Sequence, residues 1–302
     1  MIKSFQKTFL CFPVMLFFLI ALTGCIRDAS RAINAETNQP QRIISAAPSN
    51  TEIIIGLGMG DRLIAVDIYS KDIEGVPQGL PLIDFFFPDT EAVINLEPDL
   101  ILANEINSFG VANNPFRLLG NLGIRVVEVP TSTNIEGIFS DILFIAQTLD
   151  ITDRGEEIVR SMREQIAIIT NITQNTLPKK SIYFEISSVP NLVSFGQGAY
   201  LNEMIEMAGG VNIFNDQTGW FSPSAEEIIS RNPDIIFTFI YPGEDPINEI
   251  KARRAFESIT AIRQDQVYAI DTDSASRPSQ NILKALGEMA RAIHPAYYEA
   301  GH

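Results

Sequence analysis

Cysteine and histidine are scarce in this chain of 302 residues. The sequence contains two cysteines, Cys11 and Cys25, and two histidines, His294 and His302, at its C-terminal end. Thiolate and imidazole are common zinc ligands, and imidazole is the most common general base. The scarcity therefore predicts no metal site and disfavours disulfides. Since no nucleophile, base and acid form a recognisable set, we expect no catalytic residues and a protein that is not an enzyme.

Positive charge is also in short supply. Lys and Arg number 22 against 37 Asp and Glu, so the formal net charge is −15. A surface with this balance repels phosphate groups. We therefore expect no nucleic-acid partner and no electrostatic attachment to anionic lipid.

The one long apolar run lies at the N-terminus. Lys3 and Lys7 precede it, it covers residues 9–22, and it contains Pro13. A spanning helix needs ~20 apolar residues, so a transmembrane segment is the weaker interpretation. The pattern predicts a secretory signal peptide over residues 1–24.

The end of this run carries the sequence Leu22-Thr23-Gly24-Cys25. Small residues before a cysteine resemble the lipobox of bacterial lipoproteins. That resemblance implies lipidation of Cys25, which would become the mature N-terminus. Residues 25–41 have no apolar periodicity, which predicts a tether between the membrane and the first lobe. We expect an extracytoplasmic protein, lipid-anchored to the cell membrane, in the periplasm or at the cell surface.

Two segments that begin 135 residues apart (220 minus 85) follow one pattern. Each copy predicts an aromatic loop, a short helix, a Pro-Asp break and a buried strand. A repeat with so long a period predicts two similar lobes, and the matched aromatics suggest a cleft between them. The identical pairs are Phe86/Phe221, Pro88/Pro223, Glu91/Glu226, Ile94/Ile229, Pro98/Pro233, Asp99/Asp234 and Ile101/Ile236.

Apolar strand-like runs alternate with amphipathic helical segments from residue 42 onward, which is typical of parallel sheets covered by helices. Strands are predicted at 42–46, 63–67, 100–103, 125–129, 181–186, 235–239 and 266–270, and helices at 51–55, 134–149 and 152–173. The fold class is therefore α/β, with two Rossmann-like lobes of mainly parallel sheets joined by one long helix. We place the N-terminal lobe at 42–150, the linker helix at 151–176 and the C-terminal lobe at 177–302.

Several motifs, taken in order, resemble one family. They are residues 42–52, the two Glu-x7-Asp segments, the run 194–201 leading to 208–214, and Ile293-His294-Pro295. The sequence resembles the substrate-binding proteins of ABC importers for vitamin B12, ferric siderophores and haem. The resemblance implies a metal chelate bound between the lobes and delivered to a permease dimer with its ATPase. It leaves an iron siderophore, haem or cobalamin open as the ligand, and a chelatase-like or transferase-like enzyme anchored at the cell surface is the alternative.

Ligands of open parallel sheets bind beyond the carboxyl ends of the strands. This rule selects Ser49, Asn50, Tyr69, Asn104, Glu105 and Tyr241 as ligand-binding candidates. The mirrored aromatics Phe85, Phe86, Trp220 and Phe221 are further candidates, because flat chelates stack on such rings; the alternative is that they fill the lobe cores. Arg277 either pairs with a ligand carboxylate or lies exposed on the surface. The shortage of bases among these candidates disfavours a highly anionic ferric catecholate.

Glu91 and Glu226 occupy the same register of the repeat. A carboxylate in the first turn of a helix favours the helix dipole, and this alone is one explanation. In the family that the sequence resembles, glutamates at the matching positions pair with arginines of two permease subunits. The resemblance therefore implies that Glu91 and Glu226 dock on the permease.

Overall fold

Two parallel sheets organise the chain. The computed structural model describes residues 39–84, 86–105, 115–173, 177–239 and 245–299. The predicted signal peptide and the candidates Cys25, Phe85 and Tyr241 lie outside these ranges. Among the described residues, no helix combines the length and the apolar composition that crossing a bilayer requires.

The first sheet has the strand order β3-β2-β1-β4-β5, and all its pairings are parallel. Its lobe contains β1 (Ile43–Ser45), α1 (Pro48–Gly56), β2 (Leu63–Asp67), β3 (Leu82–Ile83), α2 (Thr90–Asn95), β4 (Leu100–Asn104), α3 (Pro115–Asn121), β5 (Val126–Val129) and α4 (Ile135–Thr148). Leu100 and Leu102 of β4 join one apolar cluster, whereas Ile101 and Ala103 join another. Helices thus cover both faces, which explains the uninterrupted apolar strands.

The helix α5 (Thr152–Thr173) follows this lobe and has the bounds that the sequence predicts. It packs against α4, and a Cβ added to Gly155 would lie 2.5 Å from the Cβ of Ala146. Glycine therefore permits the close approach of the two helices. The lobe boundaries drawn from the sequence at 150 and 177 stay a prediction.

The second sheet has the order β11-β10-β6-β8, again with parallel pairings. Its lobe begins with β6 (Ser181–Glu185), β7 (Ser194–Phe195), α6 (Tyr200–Met207), β8 (Val211–Asn212), β9 (Trp220–Phe221) and α7 (Ala225–Arg231). It continues with β10 (Ile235–Phe239), α8 (Pro246–Ala252), α9 (Thr260–Arg263), β11 (Val267–Ile270), α10 (Thr272–Ser276), α11 (Ile282–Ile293) and α12 (Pro295–Glu299). Short 3-10 helices cover Gly60–Arg62 and Arg254–Phe256.

Every predicted strand is present, with its ends shifted by at most one residue. The prediction was wrong for Trp220 and Phe221, which form a two-residue strand, not a loop, and pair antiparallel with Ser194–Phe195. Two residues are too few to show a periodicity, and β3 and β8 were missed for the same reason.

The first helix begins at Pro48, three residues earlier than predicted. Proline is well suited to the first turn, because its fixed φ is helical and its missing N–H would have had no partner there. Ser49 and Asn50 consequently lie in the first turn of α1 and not in a loop after β1.

The two copies of the repeat match in backbone as well as in sequence. Glu97 and Asn232 occupy equivalent positions after α2 and α7, and both have left-handed φ angles, 47° and 43°. The Asp99 carboxylate then accepts the backbone N–H of Arg42, at 3.1 Å, and the Asp234 carboxylate accepts that of Ser181, at 2.8 Å. In each lobe the repeated aspartate thus fixes the start of the adjacent central strand.

Candidate functional site

A cavity of about 300 Å³ lies where the two lobes meet. The first lobe contributes Pro48 and Ser49, which follow β1, and Tyr69, which follows β2. The second lobe contributes Thr272, Asp273, Ser276, Arg277 and Pro278 from the segment after β11. The carboxyl ends of both sheets therefore border one cleft, as the fold class predicts.

Tyr69 contributes the aromatic ring in the described lining of this cavity. Its side chain is 58% exposed, whereas Ser49 is buried. The turn that carries Tyr69 is fixed by Asp67, whose fully buried carboxylate accepts the Tyr69 N–H at 2.9 Å and the Ser70 hydroxyl. Burial raises the pKa of Asp67, while the Ser70 and Tyr69 hydrogen bonds oppose the rise. The sequence analysis missed Asp67, because nothing in the sequence distinguishes it from other aspartates at strand ends.

A second cavity, of about 550 Å³, lies at the carboxyl ends of β6 and β10. Its lining consists of Ile186, Ser187, Ser188, Thr238, Phe239, Asp245, Pro246 and Glu249. Asp245 caps α8 by accepting the Asn248 N–H, at 3.2 Å. The lining is therefore a mixture of hydroxyl groups, carboxylates and apolar side chains.

Two of the predicted ligand contacts are buried and bind protein groups. Asn50 is 1% exposed and donates to the carbonyl of Ala103, at 3.1 Å. Asn104 is buried and accepts the Thr131 hydroxyl, at 2.9 Å, while the neighbouring exposed Glu105 accepts the Thr131 N–H, at 3.4 Å. The buried Asn50 side chain thus supports the end of β4, and its role in ligand binding stays a prediction.

The described members of the aromatic set divide into exposed and packed rings. Phe86 is 47% exposed and Trp220 is 55% exposed, and Trp220 touches Phe195 edge-on with ring centroids 5.5 Å apart. Phe221 is half-buried against Phe214, at 5.1 Å. Trp220 and Phe86 therefore present ring surface to solvent, whereas Phe221 mainly completes the core of its lobe. The exposed Phe87 was not among the candidates.

Arg277 lines the cavity beside Tyr69 and is paired with carboxylates. Its side chain is 16% exposed, and its guanidinium contacts Glu52 of the first lobe at 3.1 Å and Asp273 at 2.7 Å. Ser279 also donates to the Glu52 carboxylate, and Gln280 donates to the Glu52 carbonyl at 2.8 Å. Burial raises the pKa of Glu52, and Ser279 and Arg277 oppose the rise. Arg277 thus joins the two lobes, a role that neither sequence interpretation included.

Glu91 and Glu226 lie in the first turns of α2 and α7, and both side chains are exposed. Neither caps its helix, because Asp89 accepts the Ala92 N–H and Ser224 forms a capping box with Glu227. Among the residues that the structure describes, neither glutamate has a hydrogen-bond or ion-pair partner. The two matched carboxylates therefore face solvent.

No cluster of His, Cys, Asp and Glu suitable for a metal ion occurs within the described ranges. His294 is buried, and its Nε2 lies 3.1 Å from the carbonyl oxygen of Ala208. Burial lowers the pKa of this imidazole. His294 therefore packs against the end of α6 and has a structural role.

Comparisons with known proteins agree with this geometry. A family model described as periplasmic binding protein matches residues 43–274. The uncharacterized ABC transporter substrate-binding lipoprotein YvrC of Bacillus subtilis strain 168 is 29% identical over 276 residues, which cover 89% of this chain and 85% of that protein. The vitamin B12-binding protein of Vibrio campbellii is 30% identical over 293 residues, which cover 93% of this chain and 94% of its own.

Among solved structures, a possible iron-binding (periplasmic solute-binding) protein from Staphylococcus epidermidis matches with a TM-score of 0.74 and 31% sequence identity. The match covers 85% of this chain and 99% of that chain. These relatives are binding proteins, which confirms the prediction that the chain is not an enzyme. With most of its length matched by the family model and by these relatives, the chain belongs to the periplasmic binding protein family.

Proposed function

We propose that this protein is the solute receptor of an ABC importer and captures an iron complex or cobalamin between its lobes. The named relatives include an ABC transporter substrate-binding lipoprotein, a vitamin B12-binding protein and a possible iron-binding protein. What each name states applies to that relative. Together the names support a metal chelate as the ligand of this protein.

The exposed aromatic rings support a ligand with a flat apolar face. Tyr69, Phe86 and Trp220 are all about half exposed, and ring faces of this kind gain free energy by area burial and stacking. The ligand-binding set that we propose consists of Ser49, Tyr69, Phe86 and Trp220, with Phe85 and Tyr241 as candidates outside the described residues.

The observation that carries the proposal is the pair Glu91 and Glu226. Both carboxylates are exposed, both occupy the same register, and other residues cap the two helices. Two equivalent carboxylates on two similar lobes suit a permease with two-fold symmetry that presents a basic residue to each lobe. We therefore assign them to permease docking.

The anchor belongs to the same proposal. Lipidation of Cys25 would hold the receptor at the membrane beside its permease, since several acyl chains anchor a protein stably. Cys25→Ser should release the protein from the membrane fraction, and continued membrane association of this variant would refute the anchor.

The docking role is tested by charge reversal. Rim charges chiefly steer encounter and fix register, so Glu91→Lys combined with Glu226→Lys should abolish ligand uptake and ATPase stimulation while leaving ligand affinity unchanged. Each single change should cause a partial loss. Transport is measured in proteoliposomes that contain the permease and its ATPase, and affinity is measured by calorimetry.

A matched control changes charge by the same amount elsewhere. Glu156→Lys combined with Glu164→Lys alters two exposed glutamates of α5 and should leave uptake intact. Normal uptake by the Glu91/Glu226 double variant, or an equal loss in the α5 control, would show that these two carboxylates do not dock.

A further inference from the structure

Two arginines beside the cleft cavities, Arg277 and Arg253, each bind two carboxylates. Arg277 contacts Glu52 at 3.1 Å and Asp273 at 2.7 Å. Arg253 forms a bidentate pair with Glu185, at 2.7 and 2.8 Å, and also binds Glu249. Their side chains are only 16% and 9% exposed. Each guanidinium is therefore shared between two carboxyl groups.

The lining adds further carboxylates. The cavity beside Tyr69 contains Asp273 and Arg277 as its charged members, and the described lining of the cavity at β6 and β10 contains Asp245 and Glu249 but no base. Lys71, in the loop after β2, lies 3.8 Å from the Asp72 carboxylate.

This arrangement penalises an anionic ligand. A carboxylate or catecholate leaving water needs a cation or several donors to offset its lost hydration. Arg277 or Arg253 could offer its planar fork to a ligand only by releasing a carboxylate. For Arg277 the two partners are Glu52, which is 4% exposed, and Asp273, which is 64% exposed. Like charges across a binding surface also repel the ligand during encounter.

We propose that the cleft selects a metal chelate that is neutral or cationic, and that Asp273 and Glu249 determine this selectivity by occupying the two arginines. Corrinoids and ferric hydroxamates have this charge. Haem, with two propionates, and ferric tricatecholates do not. The inference rests on the proposed function, because it concerns the ligand of the same cleft.

A charge-graded panel tests the proposal. The purified full chain is titrated calorimetrically with cyanocobalamin (neutral), ferrioxamine B (cationic), haemin (anionic) and ferric enterobactin (strongly anionic). We expect a neutral or cationic probe to bind at least ~100-fold more tightly than either anionic probe, since unpaired like charges oppose binding by several kcal/mol.

Variants then address the two carboxylates. Asp273→Asn and Glu249→Gln each release one arginine from a partner, so each should raise the ratio of haemin affinity to cyanocobalamin affinity by roughly tenfold. Glu257→Gln, the same change at an exposed glutamate of the same lobe, should leave this ratio unaltered.

The outcomes separate the two proposals. Tight binding of haemin or ferric enterobactin by the unmodified protein would overturn the charge selectivity and leave the receptor function standing. Unaltered affinity ratios in both cleft variants would overturn the role of Asp273 and Glu249. Binding of none of the four probes would overturn the proposed function itself, and the selectivity with it.

Discussion

At the scale of single residues, the least expected group is the carboxyl of Asp141. It lies on α4 at 5% exposure and accepts the hydroxyl hydrogen of Ser132. Burial raises its pKa, the Ser132 hydrogen bond opposes the rise, and the negative charge of Glu105 adds to it, so that the pKa is raised from 3.8 to about 6. The folded protein therefore binds more protons at this site than the unfolded chain does between about pH 4 and pH 6.

This difference predicts a pH-dependent stability effect. Stability falls as pH rises through that window, because the folded state must then hold a buried charge that the unfolded chain solvates. Asp141→Asn cannot ionise, so its free energy of unfolding relative to the unmodified protein should rise by about 2–3 kcal/mol between pH 4 and pH 7.5. Urea denaturation at the two pH values measures this change. A difference between the two proteins that stays constant with pH would contradict the assignment.

At the scale of secondary-structure elements, the long regular segments could be predicted and the short ones could not. The helix over Thr152–Thr173 was predictable because its apolar stripe and polar face extend over several turns. The strands β2 and β10 were predictable because each has four apolar residues among its five. The pair β7 and β9 was not, because each has two residues and depends on its partner.

The candidate site likewise contains residues that could be predicted from the sequence and residues that could not. The topology rule located Ser49 and Tyr69 at the lobe junction, because the carboxyl ends of parallel strands follow directly from strand order. The topology rule could not predict that Arg277 binds Glu52, which lies 225 residues earlier in the chain. Pairing over such a distance depends on how the lobes pack, and no local pattern in the sequence encodes it.

At the scale of the whole molecule, Glu52 connects the lobes. Its carboxylate lies on α1 of the first lobe and binds Arg277 and Ser279, while Gln280 donates to its backbone carbonyl. All three partners belong to the segment between β11 and α11. This cluster supplements α5 and restricts how far the lobes can separate.

Removing the charge of Glu52 should therefore destabilise the protein. Glu52→Gln preserves the side-chain size but weakens the pairing with a largely buried guanidinium, and we expect a loss of about 1–3 kcal/mol in the free energy of unfolding. Glu257→Gln, at an exposed site, should change stability by less than about 0.5 kcal/mol. Chemical denaturation of both variants provides the comparison, and equal stabilities would show that the cluster does not hold the lobes together.

The central claim is that the cleft captures a metal chelate, and the fluorescence of Trp220, which we assign to the ligand-binding set, tests it. The sequence contains one tryptophan, and its ring is 55% exposed. Titration of the full chain with cyanocobalamin and ferrioxamine B should quench or shift its fluorescence in a saturable manner for at least one of them, with one ligand bound per protein, because stacking buries the ring. A signal that falls only in proportion to added absorbance, without saturation for any chelate, would contradict the account.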